Sequence, residues 1–126
     1  MTTSSQAIIL FAHGARDPDW AAPFNIIKQQ LQAARPQLQV ELAFQDFMSP
    51  TLEQAVAQAA ARGAKRAVLV PLFMAQGGHL KQDLPRLVAK LREQHPQLEF
   101  QVMSAIGDAP EVLQAISDWV LRGVAA

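Results

Sequence analysis

The sequence predicts an α/β domain built on a four-stranded parallel sheet, with helices covering both sides. Two observations carry this. Short apolar runs alternate with amphipathic stretches four times along 126 residues, and no linker or low-complexity segment interrupts them. Two of the amphipathic stretches open on a cap followed by proline, and four βα units with right-handed crossovers predict a parallel sheet.

Ala7–Ala12 (AIILFA) reads as a buried first strand. Asp17 reads as an N-cap with Pro18 at the first helical position, and Trp20, Phe24, Ile27 and Leu31 follow as one apolar face. Pro36 ends that helix. Leu38–Phe47 reads as the second strand, with Val40, Leu42 and Phe44 on alternate positions. Ser49-Pro50 repeats the cap-plus-proline start, and Leu52, Ala55, Val56 and Ala59 give the second helix a narrow face. Gly63 suits the left-handed residue just past its end. Ala67–Met74 (AVLVPLFM) is apolar throughout, as a central strand covered on both faces should be. Pro71 there marks a bulge or the strand's end. After Gln76-Gly77-Gly78, a helix runs through Leu84, Leu87, Val88 and Leu91, with Pro85 tolerable only near its first turn. Leu98–Met103 is the fourth strand. Asp108 and Glu111 form a capping-box pattern, and Val112, Leu113, Ile116, Trp119 and Val120 line the last helix. Residues 1–126 form a single domain, with 1–6 as a flexible N-terminus.

Composition excludes several classes. The formal charge is zero, from 11 basic and 11 acidic residues, so nothing draws the chain in bulk to nucleic acid or an anionic membrane. With no Tyr and two Trp, there are few aromatics on which bases could stack. The chain has no Cys, which removes disulfides, thiolate catalysis and cysteine-held metals. No signal peptide or membrane span is legible, so a cytoplasmic protein is the expectation.

Ligands in open α/β sheets bind beyond the carboxyl ends of the strands, where the strand order reverses. For the order 2-1-3-4 that point lies between the first and third strands. The loop after the first is His13-Gly14-Ala15-Arg16-Asp17; the loop after the third is Ala75-Gln76-Gly77-Gly78-His79. Two of the three histidines thus flank the expected crevice, and Asp46 ends the neighbouring second strand. Imidazole suits borderline divalent ions such as cobalt, nickel, zinc and iron. Gly77 and Gly78, like Gly14, let the backbone turn and a large ligand approach. Phe47, Met48, Phe73 and Met74 lie near the same strand ends and can pack on a flat apolar ring.

Plainer readings stand beside these. A loop histidine is commonly a surface residue, Asp46 is equally a turn former, and Phe73 and Met74 are equally core. Arg16, Lys81 and Arg86 are equally ordinary solvated charges. His95, before Pro96 at a helix C-terminus, reads as exposed and facing the helix dipole.

At His13-Gly14-Ala15-Arg16-Asp17-Pro18, and along Val70-Pro71-Leu72-Phe73-Met74-Ala75-Gln76-Gly77-Gly78-His79-Leu80-Lys81-Gln82-Asp83-Leu84-Pro85, the chain resembles the short-form CbiX/SirB sirohydrochlorin chelatases. The resemblance covers nearly the whole chain. It implies a chelatase-like three-layer α/β/α domain and insertion of cobalt or ferrous iron into sirohydrochlorin, for cobalamin or siroheme biosynthesis. The metal is substrate (Co2+ or Fe2+, with Ni2+ a further candidate), and no organic cofactor is implied. By the same resemblance His13 and His79 match the family's metal-binding and catalytic histidines. The family often has Glu near the end of the second strand, where Ala43-Phe44-Gln45-Asp46 carries Asp. Short members are similar to one half of longer two-repeat chelatases, which implies a homodimer.

In that reading His13, His79 and Asp46 hold the metal, and His13 accepts a pyrrole proton, a task that suits neutral imidazole. Arg16, Lys81 and Arg86 clamp the substrate's carboxylates. The alternative is a non-enzymatic divalent metal carrier on the same fold. A hydrolase is disfavoured, since the chain has neither a G-x-S-x-G elbow nor a Walker A loop.

Overall fold

The computed structural model describes residues 6–75 and 77–124, position 79 by its backbone alone. The strands are β1 (Gln6–Ala12), β2 (Gln39–Phe44), β3 (Arg66–Pro71) and β4 (Glu99–Val102). The helices are α1 (Ala22–Ala34), α2 (Leu52–Ala61), α3 (Gly78–Gln94) and α4 (Pro110–Gly123), with 3-10 turns at Pro18–Ala21 and Ile106–Asp108. The sheet is parallel throughout, in the expected order β2-β1-β3-β4. Gln6 belongs to β1, in register with Arg66, so the expected flexible N-terminus does not reach it. Residues 1–5 of that segment lie outside the described residues.

β1 and β3 sit at the centre because apolar side chains point to both faces. On one face Ile9, Phe11, Ala43 and Leu69 pack under α2 (Val56, Ala59) and α3 (Leu84, Val88, Leu91). On the other, Leu10, Val40, Leu42 and Phe44 pack under Trp20, Phe24, Ile27 and Leu31 of the α1 region. Side chains as fully covered as Ile9 and Leu91 each contribute about 1.5–3 kcal/mol relative to exposure. Inside this shell the buried Glu41 carboxylate meets Arg62, at the end of α2, at 2.6 Å.

Several boundaries differ from the sequence reading. β2 stops at Phe44, because the chain then turns through Phe47, whose φ is 68°. β3 stops at Pro71, whose missing N–H ends the ladder. β4 spans Glu99–Val102 only. Asp17 caps as expected, its side chain accepting from Asp19 N at 2.9 Å, but it opens a 3-10 turn before α1. Ser49-Pro50 only leads into α2; the cap is Thr51, in a reciprocal box with Gln54. Gly63 sits past α2 with φ 89°. Pro85 lies inside α3, not in its first turn. The carbonyl it leaves unpaired is that of exposed Lys81, where water can serve. His95 caps the end of α3 and is half-buried. No side chain caps α4, so the Asp108–Glu111 box is not formed.

The largest departure is α4. None of its residues joins either core cluster, and Leu113, Ile116, Trp119 and Val120 are exposed. On the face opposite α3, this edge of the sheet presents Arg66, hydrogen-bonded to Gln101, beside Val68 and Val70. The expected cover on both sides is thus incomplete at this edge.

Candidate functional site

The first three loops meet at the carboxyl end of the sheet. The loop leaving β1 is laid against the loop leaving β2: Gln45 N donates to Ala12 O and Asp46 N to His13 O, each at 2.9 Å. Gly14 has φ 87°, and a Cβ there would collide with the Asp46 carbonyl, so only glycine permits this approach. The third loop closes from the other side, where Leu72 N donates to Phe11 O at 2.8 Å. Phe73 is 1% exposed. Its ring lies 5.6 Å from that of Phe11 and 4.3 Å from that of His13, edge-on to both.

His13 is therefore exposed at its tip and fixed at its base, between the Asp46 backbone and Phe73. Phe73, expected to touch the ligand, is instead buried beneath the imidazole and orients it. That support was not legible, because an apolar residue after a strand has no spacing signal that separates a ring under a histidine from ordinary core.

The remaining expected residues divide. Asp46 is exposed, and its backbone N–H and C=O are both engaged, the latter by Met48 N at 2.8 Å. Phe47 projects into solvent, 65% exposed, and the Arg16 guanidinium stacks over its ring at 4.6 Å. The left-handed backbone at Phe47 turns the chain sharply away from the line of β2. Met48 instead packs against the core on the α1 side. Met74 is exposed near the crevice. Gly77 caps α3, Gly78 opens it, and position 79 lies in its first turn; the His79 side chain is outside the described residues. Lys81 lines a groove of about 350 Å³ with Leu84, Pro85, Val88, Arg92 and Val102, on the flank of α3. Arg86 is exposed about two turns beyond position 79, on the other side of the helix from Lys81.

A fourth loop also reaches the site. Gly107 N donates to Phe73 O at 3.1 Å, and a Cβ on Gly107 would collide with the Met74 carbonyl. The sequence reading overlooked Gly107. Its only signal is a glycine in a short irregular stretch between β4 and α4.

Among the described residues no three His, Asp or Glu side chains converge on one point. What converges is one exposed imidazole, an adjoining carboxylate-bearing loop and an aromatic–cationic rim. An imidazole and a carboxylate are donors for a borderline divalent ion, and such a set leaves coordination positions open.

Fold and loops together define an open parallel α/β domain whose first and third loops meet at the topological switch point. The chain belongs to the CbiX family, whose family model matches residues 7–122. A sirohydrochlorin cobaltochelatase of Methanocaldococcus jannaschii is 33% identical over 90 residues, 71% of this chain and 63% of that protein. One from Saccharolobus islandicus is 32% identical over 106 residues, 79% of this chain and 81% of its own. The chain thus spans under two thirds of the first relative and most of the second. A CbiX protein of Marinobacter aquaeolei VT8 superposes with a TM-score of 0.82 at 28% identity, over 94% of this chain and 97% of that one. The SirB chelatase of Bacillus subtilis subspecies spizizenii, solved with cobalt, shares the fold at 24% identity and a TM-score of 0.78. There the match covers 95% of this chain but 51% of SirB.

Proposed function

We propose that this protein inserts a divalent metal, cobalt or ferrous iron, into sirohydrochlorin. The observation that supports this most is His13, exposed at the switch point of a CbiX-family domain and held at its base by Phe73 and Asp46. Nickel is a further substrate the same donors suit. The relatives' names, and a neighbour solved with cobalt, agree with this chemistry.

Insertion needs the metal to shed water in stages and two pyrrole N–H protons to leave. His13, with His79 and Asp46, takes the hydrated metal; as the metal passes to the ring, the freed His13 imidazole accepts one pyrrole proton and then the other, passing each to solvent. The tetrapyrrole lies against Phe47 and Met74, and Arg16 beside Phe47 meets a carboxylate on its rim. Lys81 and Arg86 reach carboxylates farther along α3. No organic group is needed for any step. We further propose that the active form is a homodimer, since this chain matches 51% of SirB and two copies would span its length.

The test is direct. Purified protein is mixed anaerobically with sirohydrochlorin and each metal in turn, and absorption spectra follow the metallated product. Metal bound without turnover would make the protein a carrier and refute the proposal.

A further inference from the structure

The fourth loop makes contacts to which metal insertion, as described, gives no role. After β4 the chain enters the 3-10 turn Ile106–Asp108, closed by Asp108 N donating to Ala105 O at 2.9 Å and Ala109 N to Ile106 O at 3.1 Å. Ala105, 3% exposed, roots this turn in the domain. Gly107, in the middle of the turn, donates to Phe73 O at 3.1 Å, while Leu72 N donates to Phe11 O at 2.8 Å. The backbone around Phe73 is thus held on one side by β1 and on the other by the loop after β4. Gly107 is not among the residues with left-handed φ, so its torsions do not call for glycine. What calls for glycine is space. An ideal Cβ at this position would lie 1.5 Å from the Met74 carbonyl oxygen and 2.8 Å from Met74 Cα. Contacts that short cannot form, so any side chain at 107 pushes the third loop away at the residue next to Phe73.

We propose that Gly107 is a positioning residue for metal insertion, which seats the Phe73 ring and through it the His13 imidazole. This rests on the insertion reading above and adds to it a residue from the fourth loop. The chain of contacts is short. Gly107 N holds Phe73 O, and the Phe73 ring stands edge-on to His13 at 4.3 Å. The ring has little room to absorb a shift, being 1% exposed and braced on Phe11 at 5.6 Å. A displaced backbone at Phe73 and Met74 therefore moves the surface on which His13 rests. Misplacement of about 1 Å near the reacting groups costs on the order of 100-fold in rate. The rim is held differently. Arg16 and Phe47 stack on each other across the first and second loops, which are tied by the bonds of Gln45 and Asp46 and not by the fourth loop. Loss of the Gly107 contact should thus act on the rate at saturating substrate more than on substrate affinity.

The test is a double-mutant cycle on the full-length protein, read by turnover and by proton NMR. Gly107→Ala should lower kcat for cobalt insertion into sirohydrochlorin about 10-fold or more, with a smaller change in KM for the tetrapyrrole. In a Phe73→Leu background the same change should cost little further, whereas independent sites would multiply their losses. Arg62→Ala, which strands Glu41 in the core away from the site, should keep wild-type kcat and so separates positioning from lost stability. At about pH 9, where imidazole is neutral, Gly107→Ala should move the His13 ring resonances toward their positions in Phe73→Leu. Those resonances are assigned by their loss in His13→Ala, and the readout needs neither metal nor tetrapyrrole. Unmoved resonances, or losses that multiply in the double variant, overturn the proposal. Moved resonances with unchanged kcat overturn its part in the reaction. A wild type that inserts no metal removes the insertion reading and that part together, and the resonances then decide whether Gly107 holds His13. If Gly107→Ala does not fold, the link is read in reverse: His13→Ala should shift the Gly107 amide resonance, and should not in a Phe73→Leu background. A Gly107 amide indifferent to His13 overturns the link.

Discussion

The ring of Phe73 stands edge-on to the imidazole of His13, with centroids 4.3 Å apart and planes at 78°. Phe73 is buried and also contacts Phe11 of β1. A reactive side chain in a solvent-facing loop thereby gains a rigid base. Phe73→Leu keeps most of the apolar volume and should cost about 1 kcal/mol in urea unfolding. It removes the flat edge, so metal insertion should fall more steeply than stability. Wild-type turnover in a folded Phe73→Leu protein would show that His13 does not need this support.

Gly14→Ala should be among the most damaging single-methyl additions. It places a side chain at φ 87° and drives its Cβ into the Asp46 carbonyl. The left-handed conformation alone costs about 1–2 kcal/mol, and displacing Asp46 also breaks its bond to His13. Thermal melting and the insertion assay should both decline; an unchanged melting point would contradict the close packing of the two loops.

Asp46→Ala should cost less insertion activity than loss of His13. Its structural bonds run through backbone atoms, which alanine retains. Asp46→Glu should keep most of the activity. If Asp46→Ala is as inactive as His13→Ala at saturating metal, the carboxylate is an essential ligand or base.

Arg62→Ala tests the core, away from the site. It strands the Glu41 carboxylate, whose side chain is 8% exposed, without its 2.6 Å partner. The loss should be about 1–3 kcal/mol by chemical denaturation. Glu41→Gln in the same chain should recover part of it, and a neutral Arg62→Ala would mean that water serves Glu41 equally well.

Most of this fold was legible because the central strands are apolar on both faces and amphipathic stretches alternate with them. The apolar pattern runs on past Phe44 to Phe47 and Met48, but the backbone reverses at Phe47, and periodicity does not report φ. Pro85 is tolerated inside α3 rather than only near its first turn, because the penalty for proline falls on a carbonyl whose exposure only the fold reveals. The face of α4 reads like any core-facing stripe, since amphipathicity says that a helix buries one side and not what covers it. At the site, the loops could be placed from topology alone. That Phe73 lies under His13, and that Gly107 seals the third loop, depend on contacts between segments far apart in the chain.

The central claim is that imidazole at the switch point performs metal insertion. The measurement is the rate at which the absorption spectrum of sirohydrochlorin converts to that of its cobalt complex, for wild type, His13→Ala and His79→Ala, at equal protein concentration and with unchanged circular dichroism. The account predicts that each variant stays folded, because His13 is exposed and position 79 lies in the first turn of α3. It also predicts that each loses about 100-fold or more in rate, which starts at the lower end of what one positioned acid–base group contributes. Conversion by either folded variant at close to the wild-type rate would contradict it.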